Sequence, residues 1–396
     1  MLAAYVRWGV GTIRQMPSHA GAGRPIESHA PLGTGTPRLN GICAYYTMFP
    51  LDFPLRRLRE AHRGAWVLDP FCGRGTTNLA ARMCGLPSVG IDSSPVAVAI
   101  AQAKLSGATS SRVIDSCRKI LAAERVTSVP HGEFWELCYH PETLLEICRV
   151  RDALLKSSRS EARISLRALM LGLLHGPLRK GPPAHLSNQM PRTYATKPDG
   201  AVRYWRKRGM LPPRVPLFAL VQRRAPFYLD RILPRINGEV LRWDSRGRID
   251  ARIRPRFSHV ITSPPYVAMD HYLRDQWLRN WFVGGPARPT WNRHNALLTD
   301  SPDQFVAEMG RVWSSVGAVC KRGARLTVRF GSIPGKQINP TNVITASLDA
   351  SDCDWRILTV TDAGPATQGR RQSDQFLNSP RNSLREVDVH AVLRNN

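Results

Sequence analysis

Apolar and polar positions along the chain follow two different periods, and from residue 66 they predict a strand–turn–helix–strand unit. Two short apolar runs, 66–68 and 89–91, each end next to an aspartate. Between them, a glycine turn at 73–75 leads into an Ala-rich helical pattern that stops at Gly85. Elements in this order form the opening unit of a parallel α/β sheet.

This unit has the features of a nucleotide-like ligand site. The small residues of the turn allow a ligand to touch the backbone, and the start of the helix offers free N–H groups. Asp92 follows Asp69 by 23 positions and lies at the tip of the second strand, where a ribose diol is usually bound. Because glycine turns with a downstream acid are common, the unit alone indicates only the class of ligand.

The sheet pattern is interrupted after residue 105 and resumes only at residue 239. The segment 106–238 begins with helical apolar spacing and then becomes rich in proline, arginine and aromatic residues. Between residues 176 and 235 it carries thirteen Lys or Arg against two Asp. We therefore expect a mainly helical, basic insertion within a catalytic domain made of 41–105 and 239–396.

The two ends of the chain differ in their patterns. Residues 1–40 show scattered Gly, Pro, Ser and His without periodicity, which predicts a flexible N-terminal arm. Near the C-terminus, the segments 323–330, 355–361 and 386–393 are β-rich. The last two are expected to form an antiparallel pair that closes the sheet.

Net charge changes the expectation about partners. The chain has 56 Lys and Arg against 30 Asp and Glu, a formal charge of +26. An arginine-rich genome together with solubility would account for part of this excess. Such a large excess of positive charge favours a polyanionic partner, bound through phosphate contacts and counterion release. We therefore expect a nucleic-acid partner.

Other classes of protein are disfavoured by the sequence. There is no apolar run of about 18 residues, so no membrane span is predicted. The first residues lack a charged start followed by a long apolar core, so we expect an unexported, cytoplasmic protein. The eight cysteines form no CxxC pair and are expected to be reduced thiols, with no metal site.

A second motif narrows the function. Residues 262–266 read TSPPY and follow a strand-like run, while residues 69–77 read DPFCGRGTT. Together they resemble the S-adenosylmethionine-dependent amino-methyltransferases of DNA, which methylate the exocyclic nitrogen of cytosine or adenine. The resemblance covers the chain from about residue 45 to the C-terminus. It implies a Rossmann-like methyltransferase fold with a mainly parallel seven-stranded sheet, S-adenosylmethionine as the cofactor, double-stranded DNA as the partner and no metal.

The resemblance also implies which residues hold the cofactor. A Phe-Pro segment before the turn covers the methionine end, the turn and the second strand tip hold the ribose side, and an acid after the third strand contacts the adenine amino group. The matching residues are Phe49, Pro50, Asp69, Pro70, Phe71, Gly73, Gly75, Thr76, Thr77, Asp92, Ser93 and Asp244. Phe49 and Pro50 fit equally well a role in packing the first helix onto the sheet, and a surface-loop aspartate is the alternative for Asp244.

The chemistry explains why a TSPPY loop is needed. An exocyclic amino group is a poor nucleophile because its lone pair is delocalised into the ring. Two hydrogen-bond acceptors at its N–H groups pull the nitrogen toward a tetrahedral shape. Ser263 Oγ and the Pro264 carbonyl are the candidate acceptors, Pro265 stiffens the backbone, and Tyr266 offers a flat face for the base. The target base must first leave the duplex.

The insertion is the candidate region for recognising the DNA target. Its mixture of cations, rings and amide side chains suits phosphate contact, stacking and reading of base edges. The alternative is a solvated basic surface whose rings belong to the core. The candidate contacts are Asn188, Gln189, Arg192, Arg203, Tyr204, Trp205, Arg206 and Lys207.

Several functions remain open at this stage. Ser263 at the first motif position resembles the N4-cytosine enzymes more than the N6-adenine enzymes. Methylation of RNA, methylation of protein glutamine, and a catalytically silent nucleic-acid-binding protein are the alternatives. A cognate restriction endonuclease is a possible partner by resemblance only, and the sequence predicts neither the recognition site nor the oligomeric state.

Overall fold

A seven-stranded sheet forms the centre of the computed structural model. The structure describes residues 36–45, 49–123, 126, 128–177, 181–190, 198–249, 257–267, 272–289, 301–331, 338–365 and 385–395. The strands are β1 (Val67–Asp69), β2 (Ser88–Asp92), β3 (Gly238–Arg242), β4 (Phe257–Thr262), β5 (Cys320–Gly331), β6 (Trp355–Pro365) and β7 (Arg385–Leu393). Their order across the sheet is β3-β2-β1-β4-β5-β7-β6.

The sheet is mainly parallel, as expected from the resemblance. Strands β3, β2, β1, β4 and β5 pair in parallel, and β7 runs antiparallel to both β5 and β6. The carboxyl ends of β1, β2 and β4 therefore lie at one edge of the sheet, where α/β proteins place their ligands. The predicted fold class is confirmed, including the antiparallel pair formed by the last two strands.

Helices cover both faces of the sheet. They are α1 (Asp52–Leu58), α2 (Thr76–Met83), α3 (Pro95–Leu105), α4 (Ser110–Ala123), α5 (Glu133–Cys138), α6 (Pro141–Lys156), α7 (Glu161–Leu173), α8 (Pro198–Lys207), α9 (Leu217–Tyr228), α10 (Tyr272–Phe282), α11 (Pro302–Val319) and α12 (Pro340–Asp349). The start of α3 follows from its sequence. Ser94 caps it by accepting the N–H of Ala97, and Pro95 occupies the first turn, where a missing N–H has no consequence.

Two large hydrophobic cores and one small cluster pack around the sheet in the described residues. One contains side chains of α1, α2, α3 and α10 together with those of the insertion, including Trp135, Leu169 and Trp205. The other contains strand residues packed against α11 and α12, including Trp313 and Phe330. The insertion therefore shares a core with the helices next to the glycine turn at 73–75.

The described part of the insertion is helical, from α4 to α9. The expected N-terminal arm needs a correction at its end. Residues 38–41 form a 3-10 helix whose Leu39 is buried, because this side chain joins the core shared with the insertion. The folded unit thus includes residues before the expected boundary at 41, and residues 1–35 lie outside the described part.

Three further expectations concern membrane spans, cysteines and metal ligands. No helix in the described residues is long and apolar enough to cross a membrane. All eight cysteines are free thiols, and Cys84 and Cys353 are the two that are only partly buried. Within the same described ranges, no group of His, Cys, Asp or Glu is placed to hold a metal ion.

Candidate active site

The two sequence motifs meet at the carboxyl edge of the sheet. Thr262, the last residue of β4, donates its hydroxyl to Asp69 Oδ1 at 2.7 Å, and Asp69 is the last residue of β1. Asp92 ends β2 on the other side of β1, so Asp92 and Ser263 are separated by a single strand. Neighbouring strands lie about 4.8 Å apart, which places the two strand tips about 10 Å from each other. A ligand can therefore reach from one motif to the other.

Asp69 joins the two motif loops. Its Oδ1 accepts the backbone N–H of Phe71 at 3.1 Å as well as the Thr262 hydroxyl. Burial raises the pKa of Asp69 to about 6, against the lowering effect of these hydrogen bonds. Asp69 is 1% exposed, so its carboxylate holds the loops together rather than facing solvent.

Asp92 accepts hydrogen bonds from the glycine turn and from the start of the next loop. Its Oδ2 accepts the N–H of Gly73 at 3.0 Å, and its Oδ1 accepts the N–H of Ser94 at 2.8 Å. Shielding from water raises the pKa of Asp92 to about 6, although both hydrogen bonds lower it. Each carboxylate oxygen keeps a further lone pair for a ligand hydroxyl. Ser93 beside it is exposed, as contact with an adenine ring requires.

The two glycines of the turn have different roles. Both have positive φ, +50° at Gly73 and +79° at Gly75. A Cβ on Gly75 would lie 2.8 Å from Ala101, so this glycine allows the turn to pack on α3. Among the described residues, a Cβ on Gly73 would meet Tyr45 alone, at 3.9 Å. Gly73 therefore forms the open side of the turn, where a ligand can approach the backbone.

The threonines after the turn are buried and support it. Thr76 begins α2, and Thr77 Oγ donates to the backbone carbonyl of Ile261 in β4 at 3.3 Å. Ser245, in the loop after β3, donates its hydroxyl to the carbonyl of Pro70 at 2.6 Å. Loops from three strands are thus tied together around the glycine turn.

The TSPPY loop presents its serine at the edge. Ser263 and Pro265 are partly buried and Pro264 is buried. Within the described part of the chain, the Ser263 side chain makes no hydrogen bond, so its hydroxyl is available to a substrate. Its neighbour Thr262 contacts Asp69, so Ser263 follows directly on the point where the two motif loops meet.

The expected role of Tyr266 as a stacking face needs correction. Tyr266 is 4% exposed, and its hydroxyl donates to Glu386 Oε1 at 2.6 Å. Its ring packs edge-on against Phe330, with centroids 5.4 Å apart. Because the ring is enclosed by the second core, it anchors the loop and offers no open face to a base.

The Phe-Pro segment and Asp244 also lie differently from the cofactor roles implied by the resemblance. Phe49 is buried and packs edge-on against Phe53 at 5.1 Å, whereas Pro50 is exposed. This geometry matches the packing alternative. The Asp244 carboxylate is engaged by Arg246, which donates to both of its oxygens and also to Glu308 at 2.7 Å. A contact of Asp244 with adenine would have to share this ion pair.

The candidate DNA contacts separate into buried and exposed groups. Asn188 is 3% exposed and donates to the carbonyls of Leu137 and Met210, and Trp205 is fully buried with its Nε1 donating to the Gln189 carbonyl. These two residues are core residues and do not face a duplex. The exposed or partly exposed candidates are Gln189, Arg203, Tyr204, Arg206 and Lys207. Arg206 pairs with Glu133, and Arg192 lies outside the described residues.

Two supporting residues were not singled out from the sequence. Thr262 was recognisable only as the residue before SPPY, and its bond to Asp69 follows from β1 and β4 being neighbours. Glu386 lies 120 residues after Tyr266, so no local pattern connects them. Both contacts depend on strand order, which a single sequence does not specify.

One known family matches part of the chain. Residues 31–103, which contain the first motif, match the family model described as DNA methylase, of the N6 and N4 type. This match confirms the predicted resemblance to the N4/N6 DNA methylase family and supports S-adenosylmethionine-dependent methyl transfer. No curated protein sequence matches the chain.

Solved structures resemble the chain only at the level of a broad outline. TrmN from Thermus thermophilus is 12% identical with a TM-score of 0.29; the alignment covers 86% of this chain and 47%, about half, of TrmN. The rRNA methyltransferase aviRa from Streptomyces viridochromogenes is 12% identical with a TM-score of 0.30, over 87% of this chain and 86% of its own. A geranyl diphosphate methyltransferase in complex with SAM is 10% identical with a TM-score of 0.31, over 86% and 83%. At these scores the likenesses support no argument about substrate.

The residues present fit the cofactor of this family, S-adenosylmethionine. Asp92 keeps carboxylate lone pairs for the ribose hydroxyls, and Gly73 leaves the backbone of the turn open. The N-terminus of α2 adds partial positive charge at the same place. The cofactor supplies an electrophilic methyl group on a sulfonium centre, and the protein must orient a nucleophile toward it.

Proposed function

We propose that this methyltransferase acts on DNA and transfers the methyl group to the exocyclic N4 of cytosine in a base flipped out of the duplex. The observation that carries the proposal is the bond between Thr262 and Asp69, because it joins the cofactor turn and the TSPPY loop into one site. The family match at residues 31–103 supports DNA as the substrate.

The protein's own contribution is to hold and activate the amino group. Ser263 Oγ and the Pro264 carbonyl each accept one N–H of the amino group, which localises the nitrogen lone pair and directs it toward the methyl donor. Neither Pro264 nor Pro265 has an N–H that could compete for these acceptors. The nitrogen becomes more acidic once methylated, so its proton passes late to Ser263 or to water, and no strong base is required.

The Tyr266–Glu386 bond supports this role from below the loop. It fixes the end of the TSPPY segment against β7, so that the preceding serine and proline keep their orientation. Groups other than the Tyr266 ring then hold the target base. In this proposal, the TSPPY loop supplies two fixed hydrogen-bond acceptors and does not stack on the base.

Cytosine is favoured over adenine because the motif begins with serine, as in the N4-cytosine enzymes it resembles. The charge of +26 supports binding to the phosphate backbone, and the exposed cations Arg203, Arg206 and Lys207 at the end of α8 are candidate contacts. We place target recognition in the insertion 106–238, cytoplasmic action in the cell, and a restriction endonuclease of the same site as a possible partner.

The test is to incubate the purified chain with cofactor carrying a labelled methyl group and with duplex DNA, RNA or protein, and to identify the modified unit after digestion. We expect labelled N4-methylcytosine from DNA, and loss of label with Ser263→Ala. Ser258→Ala is a matched control, because Ser258 lies near the start of β4, whereas Ser263 follows the end of that strand. N6-methyladenine would overturn the choice of base, and label in RNA or glutamine would overturn the choice of DNA.

A further inference from the structure

One ion pair of the insertion joins the end of α8 to the start of α5. Arg206, in the last turn of α8, donates from Nε to Glu133 Oε1 at 2.8 Å and from Nη2 to the same oxygen. Glu133 is the first residue of α5. The side chains of Arg206 and Glu133 are 62% and 48% exposed, so a large partner can reach them. Because exposed ion pairs contribute little to stability, the packing of the two helices does not depend on this pair.

Aromatic rings hold the backbone on both sides of the pair. Trp205 precedes Arg206 in α8 and is fully buried. Its ring centroid lies 5.9 Å from that of Phe134, which follows Glu133 in α5. Phe134 also packs edge-on against Trp277 of α10, with centroids 4.8 Å apart, and α10 is the helix that follows the TSPPY loop. The pair therefore stands on a rigid part of the insertion that is packed against the catalytic domain.

The contact uses one edge of the guanidinium and leaves another edge for a ligand. Arg206 directs its Nε–Nη2 edge toward Glu133, so its Nη1–Nη2 edge still presents two N–H groups side by side. Within the described ranges, no hydrogen bond occupies Arg206 Nη1 or Glu133 Oε2. The pair thus offers a fork of two donors beside a carboxylate acceptor.

We propose that Arg206 and Glu133 read a G·C base pair in the major groove of the DNA target. Guanine presents O6 and N7, a pair of acceptors that matches the Arg206 fork, and the N4 amino group of its paired cytosine donates to Glu133. A phosphate fits the pair less well, because the Glu133 carboxylate repels its negative charge. The inference rests on the proposed action on duplex DNA, and the base pair that is read differs from the one that is methylated.

The experiment begins by finding the site. Wild-type protein methylates a duplex library of random sequence, and sequencing that detects methylated bases gives the shared sequence. Each guanine of this sequence is then replaced in turn by 7-deazaguanine, which lacks N7. We expect one guanine at which the replacement lowers kcat/KM of the wild type by about 10-fold, because one of two acceptors is lost.

Arg206→Ala should lower kcat/KM on the unmodified site by about 5- to 150-fold, as loss of a bidentate base contact does. At the sensitive guanine, this variant should respond to 7-deazaguanine by less than about 2-fold, because the side chain and the base share one contact. Glu133→Ala should show a smaller response than the wild type, since the fork remains but is no longer oriented.

Lys207→Ala is the matched control. Lys207 is exposed in the same helical turn and makes no ion pair with another residue of the described ranges. Its replacement should weaken methylation of all duplexes alike and keep the full response at the sensitive guanine. An equal response of Arg206→Ala and wild type, uniform weakening of all sequences by Arg206→Ala, or the lack of any sensitive guanine would overturn base reading. Failure of the wild type to methylate DNA would instead overturn the proposed function.

Discussion

Replacement of Tyr266 by phenylalanine tests how the catalytic loop is held. The change removes the hydroxyl that donates to Glu386 Oε1 at 2.6 Å and leaves the ring packed on Phe330. Glu386 is 2% exposed, so water does not replace the lost donor. Removing a hydrogen bond to a buried charged group costs about 1.5–3 kcal/mol, and no cavity contribution is added because the ring stays. We expect the free energy of unfolding to fall by about 2 kcal/mol.

Urea denaturation measures this loss of unfolding free energy. The variant should unfold at a lower urea concentration, with an unchanged dependence of the free energy on urea. Glu386→Gln keeps an acceptor for the tyrosine hydroxyl and should cost less than Glu386→Ala. The double variant of Tyr266→Phe with Glu386→Gln should lose less than the sum of the two single changes, because they share one contact. In the methyl-transfer assay, Tyr266→Phe should lower kcat with little change in the KM for cofactor. A loss below about 0.5 kcal/mol, with additive variants, would refute the anchoring role and restore the stacking role.

Three further predictions follow from the site and its surroundings. Cofactor affinity should rise as pH increases through about 6, since the ionised Asp92 accepts the ribose hydroxyls better, and calorimetry with Asp92→Asn should show a flat profile. The same raised pKa also affects the stability of the ligand-free protein. The contribution of Asp92 to stability should fall as pH rises from about 4 to about 6. Thermal melts at several pH values measure this fall. Gly75→Ala should destabilise the fold by about 2–4 kcal/mol in urea titrations, because of the positive φ and the 2.8 Å approach to Ala101. Trp205→Ala should cost about 3–5 kcal/mol as a core change, whereas Arg203→Ala should leave stability unchanged and reduce the salt dependence of DNA binding.

Strand positions were predictable where local pattern and burial agree. The apolar runs before Asp69 and Asp92 became β1 and β2, and the three C-terminal β-rich segments became β5, β6 and β7. Parallel strands buried on both faces read as continuous apolar runs, which makes them recognisable in one sequence. The start of α3 at Pro95 was likewise evident from its Ser-Pro cap.

The sequence predicted which loops form the site, but it did not predict the side-chain contacts within it. The motifs selected Asp69, Asp92 and Ser263, and strand order brings these residues to one edge. The sequence predicts a stacking face for Tyr266 and a DNA contact for Trp205, yet both rings are enclosed, because a large aromatic side chain gains more from burial than from exposure. The sequence could not show this choice, since the partners that bury these rings lie far away along the chain.

The central claim is that the cofactor turn and the TSPPY loop form one methyl-transfer site across the tip of β1. A crystal structure of the protein with S-adenosylhomocysteine tests it most directly. The account predicts ribose hydroxyls on the Asp92 carboxylate and a sulfur atom that faces Ser263 across a gap open to a base. A sulfur atom directed away from Ser263, or side chains filling the space between Asp92 and Ser263, would contradict it.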